Sequence, residues 1–186
     1  FEENGSDPSQ TEDSSELSEE KKYEQKKLEE LKEKTEEIYT EVSEMAAEKD
    51  VQDMINVNMD EKYQYVQISL NGAILFDSGS DEIKTSALGV LSKVGDILKV
   101  YDRHLIKIEG HTDDVKISST KFPNNMWLST ARATRVFEYF KDQKKLNPKT
   151  LEATGLSEYH PVATNDTEKG RAKNRRVEIK IYTEDN

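Results

Sequence analysis

Residues 106–113 have the sequence Ile-Lys-Ile-Glu-Gly-His-Thr-Asp, and this stretch decides the fold class. Its first four residues alternate between apolar and charged, which is the period-two pattern of a β-strand with one buried face. Gly110 ends the alternation, and Thr112 and Asp113 follow it. Loops that leave a strand often carry binding residues, because the rigid sheet positions them. The stretch therefore predicts a strand with a candidate binding residue, Asp113, just beyond its end.

Further strands and two long helices flank this strand in the sequence. Alternating or short apolar runs predict strands at 55–59, 65–70, 151–153 and 177–181. A helical period predicts helices over about 81–101 and 125–141, the second capped by Asn124 or Asn125. Residues 111–124 and 155–170 are predicted loops. The pattern favours an α/β (α+β) sandwich, in which two long helices cover one face of a mixed β-sheet.

The N-terminal region differs in composition from the rest of the chain. Residues 1–50 contain 7 Lys and 18 Asp or Glu, a net charge of −11, whereas residues 51–186 contain 20 basic and 20 acidic residues. The acidity therefore gives no information about the ligand of the domain at 53–186. Residues 1–20 have Leu17 as their only aliphatic side chain, and we predict an acidic disordered segment there. Residues 21–52 are predicted to form a helical linker.

A hydrophobic seam runs along the predicted linker helix. Its members recur at alternating spacings of three and four residues, over about three heptads. They are Leu28, Leu31, Thr35, Ile38, Val42 and Met45. The seam can pack on the helix's own domain, or it can pair two chains in a coiled coil. A seam this short, with a polar Thr35, would give only a weak dimer by itself.

Several classes of function are disfavoured by what the sequence lacks. There is no cysteine, hence no disulfide and no thiolate metal site. His111, Asp113 and Asp114 have no partner ligands at helical spacing, so no metal site is predicted. No nucleophile elbow, phosphate loop or zinc helix motif occurs. Asp113 and Asp114 are adjacent and diverge, which does not suit a glycosidase pair. We therefore predict a protein that is not an enzyme and has no cofactor.

No apolar run approaches the roughly 18 residues that a membrane helix needs. Because the chain starts at Phe1 rather than Met, we interpret it as a fragment whose membrane anchor would lie upstream.

Arg132 lies on the apolar side of the predicted helix at 125–141. On a helical wheel it falls within the stripe formed by Leu128, Val136, Tyr139 and Phe140. Burying an arginine is costly unless its guanidinium meets a carboxylate or a similar acceptor. Arg132 can form a salt bridge inside the fold or line a cleft at the helix N-terminus. Its place in the second turn favours the cleft, because helix ends lie at the rim of a domain.

The basic run at 169–176 contains a second candidate. Arg175 has the strand parity of Val177 and is predicted to face the helix-covered side, near the cleft. Arg176 has the parity of Glu178 and is predicted to be solvated. The whole run would attract anions, and nucleic acid is the obvious alternative ligand. No aromatic residue interleaves the run, however, and the domain as a whole is neutral.

Three motifs in order resemble OmpA-like peptidoglycan-binding domains, over roughly Ala73–Ile181. They are Thr112-Asp113, the Leu-Ser-x-x-Arg-Ala pattern at 128–133, and Asn-Arg-Arg-Val-Glu at 174–178. Within that family, Leu-Phe-Asp-Ser-Gly-Ser at 75–80 and the Phe-Pro element at 122–123 are similar to MotB-like flagellar stator proteins. The long loop from Asp114 to Asn124 fits an insertion that MotB-like proteins carry.

The resemblance implies a role for each candidate residue. The residue matching Asp113 takes the ammonium group of a diaminopimelate in the peptidoglycan stem peptide, and the residue matching Arg132 takes its carboxylate. Thr112, Asn125, Arg175 and Asn174 match further positions of the binding cleft. Whether the protein grips the stem peptide or the glycan is left open by the resemblance.

The resemblance also implies a biological setting. We expect a homodimer on the periplasmic side of the membrane, part of a single-pass membrane protein that pairs with a MotA-like partner. Its domain would hold a flagellar stator to the cell wall, and the 21–52 helix could repack when the wall is gripped. The alternative is another envelope tether, a lipoprotein or an outer-membrane protein. Nucleic-acid binding through 169–176 is a distant third possibility.

Overall fold

A five-stranded sheet forms the centre of the structure, a computed structural model that describes residues 9–184, with side chains from residue 17 onward. The strands are β1 (Ile55–Met59), β2 (Tyr65–Asn71), β3 (Ile106–His111), β4 (Leu151–Gly155) and β5 (Arg176–Tyr182). Their order in the sheet is β1-β2-β5-β3-β4. β3 and β4 are parallel, and the other neighbours are antiparallel. The predicted mixed sheet is therefore confirmed.

Helices cover one face of this sheet. They are α1 (Ser9–Glu48), the single turn α2 (Gly72–Leu75), α3 (Leu88–Val100), α4 (Asn125–Gln143) and α5 (Glu168–Asn174). Alternate residues of the central strands, such as Ile68 on β2, Ile108 on β3 and Ile179 on β5, are fully buried beneath them. The two predicted long helices correspond to α3 and α4, and the C-terminal half of α1 adds a third cover. The α/β sandwich follows from the period-two burial of the strands.

The linker helix is longer at its start than its predicted bounds. It begins at Ser9, so residues 9–20 are helical where a disordered segment was expected, and it ends at Glu48 rather than at 52. Neither glycine nor proline interrupts it, and glutamate and lysine are good helix formers. Residues 1–8 of the predicted segment lie outside the described residues.

The seam of α1 packs on its own domain. Thr35, Ile38, Val42 and Ala46 are buried, whereas Leu28 is 51% exposed. The Oγ1 atom of Thr35 lies 2.6 Å from the carbonyl oxygen of Tyr63. Farther along, the hydroxyl of Tyr101, just after α3, donates a hydrogen bond of 2.7 Å to Glu41. Thr35, the polar residue that would weaken a coiled-coil dimer, therefore links α1 to the turn between β1 and β2.

Two local predictions differ from the structure. The helix predicted from residue 81 begins only at Leu88, after a 3₁₀ turn at Thr85–Ala87. Ile83 forms a β-bridge with Phe76, so its burial comes from an extended segment rather than a helix. α5 lies largely within the basic run, where no helix was predicted. Among residues 9–184, no helix is long and apolar enough to cross a membrane.

Candidate functional site

A cavity of about 590 Å³ opens at one end of the sheet. Its walls come from α2, the loops after α2 and β3, the first half of α4, and Arg175 just before β5. Five of the six predicted site residues line it: Thr112, Asp113, Asn125, Arg132 and Arg175. The fold therefore brings together residues that are up to 63 positions apart in sequence, from Thr112 to Arg175.

Asp113 is the carboxylate of the cavity and is only 7% exposed. Its Oδ1 atom accepts a hydrogen bond of 3.0 Å from the backbone N–H of Val115, which is an Asx turn. Its Oδ2 atom lies 2.6 Å from Nη1 of Arg175. Asp113 therefore forms the Asx turn that the sequence allowed, and the same side chain lines the cavity, where its carboxylate pairs with Arg175.

Arg132 lies in the cleft and forms no salt bridge with any side chain of residues 17–184. Its Nε donates to the carbonyl of Ser80 at 2.8 Å, and its Nη2 donates to that of Asp77 at 3.1 Å. Its guanidinium lies 5.0 Å from the centre of the Phe76 ring, a cation–π contact. No carboxylate of residues 17–184 lies within 4.0 Å of it. Burial lowers the pKa of Arg132 to about 10, and the neighbouring Arg175 charge acts in the same direction. The group remains a cation at neutral pH and has no close anion.

Arg175 also lines the cavity, next to Asp113. Its Nη1 pairs with Asp113 and its Nη2 with Glu168, at the N-terminus of α5. The hydrogen bond that Arg175 donates to Glu168 is the main cause that raises the pKa of Arg175. Strand parity predicted this orientation of Arg175. The backbone carbonyl of Arg175 also accepts a hydrogen bond of 2.8 Å from Gly72, where a β-carbon would lie 2.9 Å from that oxygen.

Thr112 and Asn125 position the loop that carries Asp113. Thr112 Oγ1 donates to the carbonyl of Asp113 at 2.8 Å. Asn125 Nδ2 donates to the carbonyls of Asp113 and Val115, at 3.3 and 3.0 Å. α4 begins beside this loop because Asn124 caps it, accepting a hydrogen bond from the N–H of Trp127. Both asparagines therefore act where β3 and α4 meet.

Asn174 does not line the cavity. It is fully buried, and its Oδ1 accepts hydrogen bonds from the N–H groups of Val162 and Ala163. Its Nδ2 donates to Ala163 and Asn165. Asn174 therefore fixes the loop before α5, and its predicted place among the cleft residues is not supported by its position.

The long loop after Asp113 is fastened at its far end. Asp81, 4% exposed, accepts hydrogen bonds from Lys121 of this loop and from Arg135 of α4. Phe122 beside Lys121 is buried. The Phe-Pro element of the sequence thus anchors a loop that supplies one wall of the cavity.

Ten further residues line the cavity that sequence reasoning did not assign to it, and they include Phe76, Lys116, Ile117 and Glu168. Three of these four belong to segments that the sequence had marked, since Phe76 lies in the motif at 75–80, and Lys116 and Ile117 lie in the long loop. Glu168 could have been found from Thr167, which caps α5 by accepting a hydrogen bond from the N–H of Gly170.

Arg176 is buried rather than solvated, so its predicted exposure is wrong. It does point to the opposite face of the sheet, as its parity indicated, but the loop at 156–165 covers that face there. Its Nε lies 2.7 Å from Glu178 Oε1, and its Nη2 donates to the carbonyl of His160. Strand parity gives the direction of a side chain and does not reveal a loop that covers it.

The basic run at 169–176 does not form a continuous basic surface. Arg175 points into the cavity, Arg176 is buried on the opposite face, and Arg171 is bonded to Glu168 and to the carbonyl of Asn165. Lys169 and Lys173 remain exposed. Because nucleic-acid binding needs a stripe of solvent-facing cations, this arrangement disfavours that alternative.

The cavity suits a small ligand that carries both charges. Arg132 and Arg175 offer donors to a carboxylate, and Asp113 can accept from an ammonium group or a hydroxyl. These side chains project from a helix, a strand end and a bonded loop, with Asp113 and Arg175 paired and Arg132 more than 4.0 Å from any carboxylate of residues 17–184.

The chain is similar to known proteins in sequence and in structure. The family model described as the OmpA family matches residues 75–175. Motility protein B of Bacillus subtilis is 37% identical over 114 residues, which are 61% of this chain and 44% of that protein. The crystal structure of a MotB-like protein from Desulfovibrio vulgaris is 31% identical, with a TM-score of 0.78 over 86% of this chain and 97% of that one.

A third relative comes from another system. The cell wall anchor of the T6SS from Pseudomonas aeruginosa is 28% identical, with a TM-score of 0.69 over 77% of this chain and 97% of that one. The predicted resemblance to OmpA-like domains of the MotB type is confirmed by these similarities. This chain spans less than half the length of the curated relatives it matches first, 44% and 48%.

Proposed function

The chain belongs to the OmpA family, and from that membership we propose that it is a non-catalytic, peptidoglycan-binding anchor of a flagellar stator. One observation carries the proposal: Arg132 lines an open cavity as a buried cation without a carboxylate partner among residues 17–184. Asp113 and Arg175 lie in the same cavity. A cation left in this state supports a role in ligand binding, because the ligand supplies the missing anion.

The stem peptide of peptidoglycan suits these charges better than the glycan. A diaminopimelate end carries an ammonium and a carboxylate on one carbon. Arg132 would bind the carboxylate, and Asp113, which has acceptor capacity beyond its bonds to Arg175 and Val115, would bind the ammonium. A sugar hydroxyl could also donate to Asp113 but would leave Arg132 without an anion. We therefore favour the stem peptide.

The stator assignment is supported by the similarity to motility protein B and to a MotB-like structure. In this proposal the domain lies on the periplasmic side, and its long α1 connects it to a segment that crosses the membrane once. The protein acts as a homodimer with a MotA-like partner, and its grip on the wall resists the torque of the motor.

Sedimentation with purified peptidoglycan tests the binding. The Asp113→Ala, Arg132→Ala double variant is expected to bind roughly 100-fold more weakly or worse, because each of the two charge-assisted contacts contributes roughly 1.5–3 kcal/mol. Asp142→Asn with Arg103→Met, both at exposed positions, is the matched control and should bind like wild type. Equal sedimentation of all three proteins would refute the proposal.

A second envelope role is favoured by the similarity to a T6SS cell wall anchor. The domain would then grip peptidoglycan by the same cavity but tether a different assembly. A chimera that joins the membrane segment of a MotB protein to this chain separates the two roles. Restored swimming in a strain lacking its own MotB would favour the stator, whereas wall binding without swimming would favour the tether.

A further inference from the structure

A second group of polar side chains lies on the opposite face of the sheet from the cavity. Glu109 and His111 of β3 point to this face, and Glu178 of β5 is the register partner of Glu109. His111 is 3% exposed and Glu178 is 6% exposed. His111 is close to Asp113 and Asp114 in the sequence. In the sheet, however, its side chain points to the same face as Glu109 and Glu178.

The His111 side chain is buried and, among the described side chains, unpaired. Neither of its ring nitrogens has a hydrogen-bond partner among residues 17–184. Its Nε2 lies 3.6 Å from Glu109 Oε2 and 3.5 Å from Glu178 Oε2. These separations exceed the roughly 2.7–3.2 Å of a hydrogen bond to nitrogen. A buried imidazole in this state is unusual, because buried polar groups are nearly always paired.

The same separations fit the ligands of one metal ion. A tetrahedral zinc ion lies about 2.0–2.2 Å from its nitrogen and oxygen ligands, which places neighbouring ligands about 3.3–3.5 Å apart. The three candidate atoms, one from each residue, all lie within 4.8 Å of one another. We propose that Glu109, His111 and Glu178 form a binding site for a divalent transition-metal ion, with Zn²⁺ as the best-matched ion. An imidazole with two carboxylates suits zinc better than calcium or magnesium.

The cations around this site leave room for such an ion. Arg176 pairs with Oε1 of Glu178, whereas Oε2 has Lys180 Nζ 3.8 Å away as its neighbouring cation. Lys180 Nζ lies 2.7 Å from Glu109 Oε2, although that oxygen has no aligned hydrogen bond. Lys180 is also 4.8 Å from the ring centre of Tyr65 and reaches the surface, so its ammonium can turn outward when the metal binds. The two glutamates then neutralise the bound ion.

A fourth ligand is available beside the site. The ring of His160, in the loop that covers this face, lies 6.2 Å from the ring of His111, measured between centroids. Arg176 fixes this loop by donating a hydrogen bond to the His160 carbonyl. His160 or a water molecule would complete the tetrahedron.

Calorimetric titration of the chelator-treated full chain with ZnCl₂ at pH 7 tests the site. We expect one ion per chain, and at least tenfold weaker binding by Glu109→Gln and by His111→Asn. His104→Asn, at a histidine near the other end of β3, is the matched control and should bind zinc like wild type. Zinc should also raise the Tm of wild type but not that of Glu109→Gln.

Cobalt gives a second readout that does not depend on the variants. Co²⁺ added to the wild-type chain should produce the intense visible bands of a tetrahedral site, and Zn²⁺ should abolish them. If His111→Asn does not fold, this spectrum and Glu109→Gln carry the test. Absence of saturable zinc binding would overturn the proposal, as would binding that Glu109→Gln and His111→Asn leave unchanged. The proposal would also be overturned if the His111 imidazole carries protons on both nitrogens at pH 7 and does not change when zinc is added. That result would indicate a protonated histidine that bridges the two glutamates.

Discussion

A buried charge can stabilise the fold through a salt bridge or bind a ligand, and the surroundings of Arg132 favour the second role. The fold holds its guanidinium with two backbone carbonyls and the Phe76 ring, yet supplies no carboxylate within 4.0 Å from residues 17–184. A salt bridge that only stabilised the fold would supply that anion. The helical wheel located this residue from sequence alone, because an arginine within an apolar stripe is conspicuous in any helix. What the wheel could not show was whether a carboxylate faced it.

The role of Arg132 in binding can be separated from stability. Arg132→Met is expected to change the free energy of unfolding by no more than about 1 kcal/mol, because an apolar side chain of similar length removes the cost of burying a charge. Its affinity for peptidoglycan should fall about 10–100-fold. Denaturant unfolding and sedimentation measure the two effects, with Arg103→Met as control. A variant that is strongly destabilised but binds normally would show that Arg132 is structural.

Asp81 carries a prediction about acid stability. Burial by itself raises the pKa of this carboxyl, but hydrogen bonds from Lys121 and Arg135 outweigh burial and lower it. A carboxyl whose pKa is lower in the folded state stabilises the protein above its unfolded pKa of about 3.9, and this stability is lost as pH falls through the folded pKa. Asp81→Asn should therefore lower the Tm at pH 7, and the difference from wild type should shrink below about pH 4.

Melting curves at pH 7, 5, 4 and 3 check this expectation, with Asp142→Asn at an exposed position as control. A difference between wild type and Asp81→Asn that stays constant down to pH 3 would show that the charge of Asp81 does not fasten the loop.

Among the elements, the strands were the most predictable from sequence and the short helix α5 the least. β2, β3 and β5 alternate between apolar and polar residues because one face of each packs beneath the helices, so their apolar period indicates both the element and its orientation. α5 has seven residues with a glycine inside, too short for a helical period, and its cations looked like one basic run. The site shows the same division. Strand parity predicted that Arg175 faces the cavity. Glu168 lies in a short helix and Lys116 in a loop, where the sequence has no hydrophobic period from which their positions could be predicted.

The seam of α1 yields a test of what this helix packs against. Val42→Ala removes a fully buried side chain and should destabilise the chain by about 1.5–3 kcal/mol, independently of protein concentration. Leu28→Ala, in the same seam but half exposed, should change stability by less than about 0.5 kcal/mol. Unfolding at several protein concentrations measures both. Destabilisation by Leu28→Ala that weakens as protein concentration rises would instead indicate a seam shared between two chains.

For the molecule as a whole, α1 and the cavity are separate parts of one domain. The C-terminal half of α1 contributes Ile38, Val42 and Ala46 to the core. No described residue of α1 lines the cavity. The sequence predicted a linker followed by a domain, and it could not show that the second half of this linker belongs to the core. That boundary depends on contacts with α3 and the β1–β2 turn, which lie far from α1 in sequence.

Two truncations test this boundary. Removal of residues 1–30 should leave the Tm and the affinity for peptidoglycan unchanged, because the described side chains it deletes, from residue 17 onward, are exposed. Removal of residues 1–50 deletes three core side chains and uncovers the apolar surface beneath them, so it should destabilise the domain by several kcal/mol. While it stays folded, the shorter protein should still bind peptidoglycan through Asp113 and Arg132. Loss of binding in the 1–30 truncation, with an unchanged Tm, would mean that the exposed half of α1 takes part in gripping the wall and that the cavity alone does not.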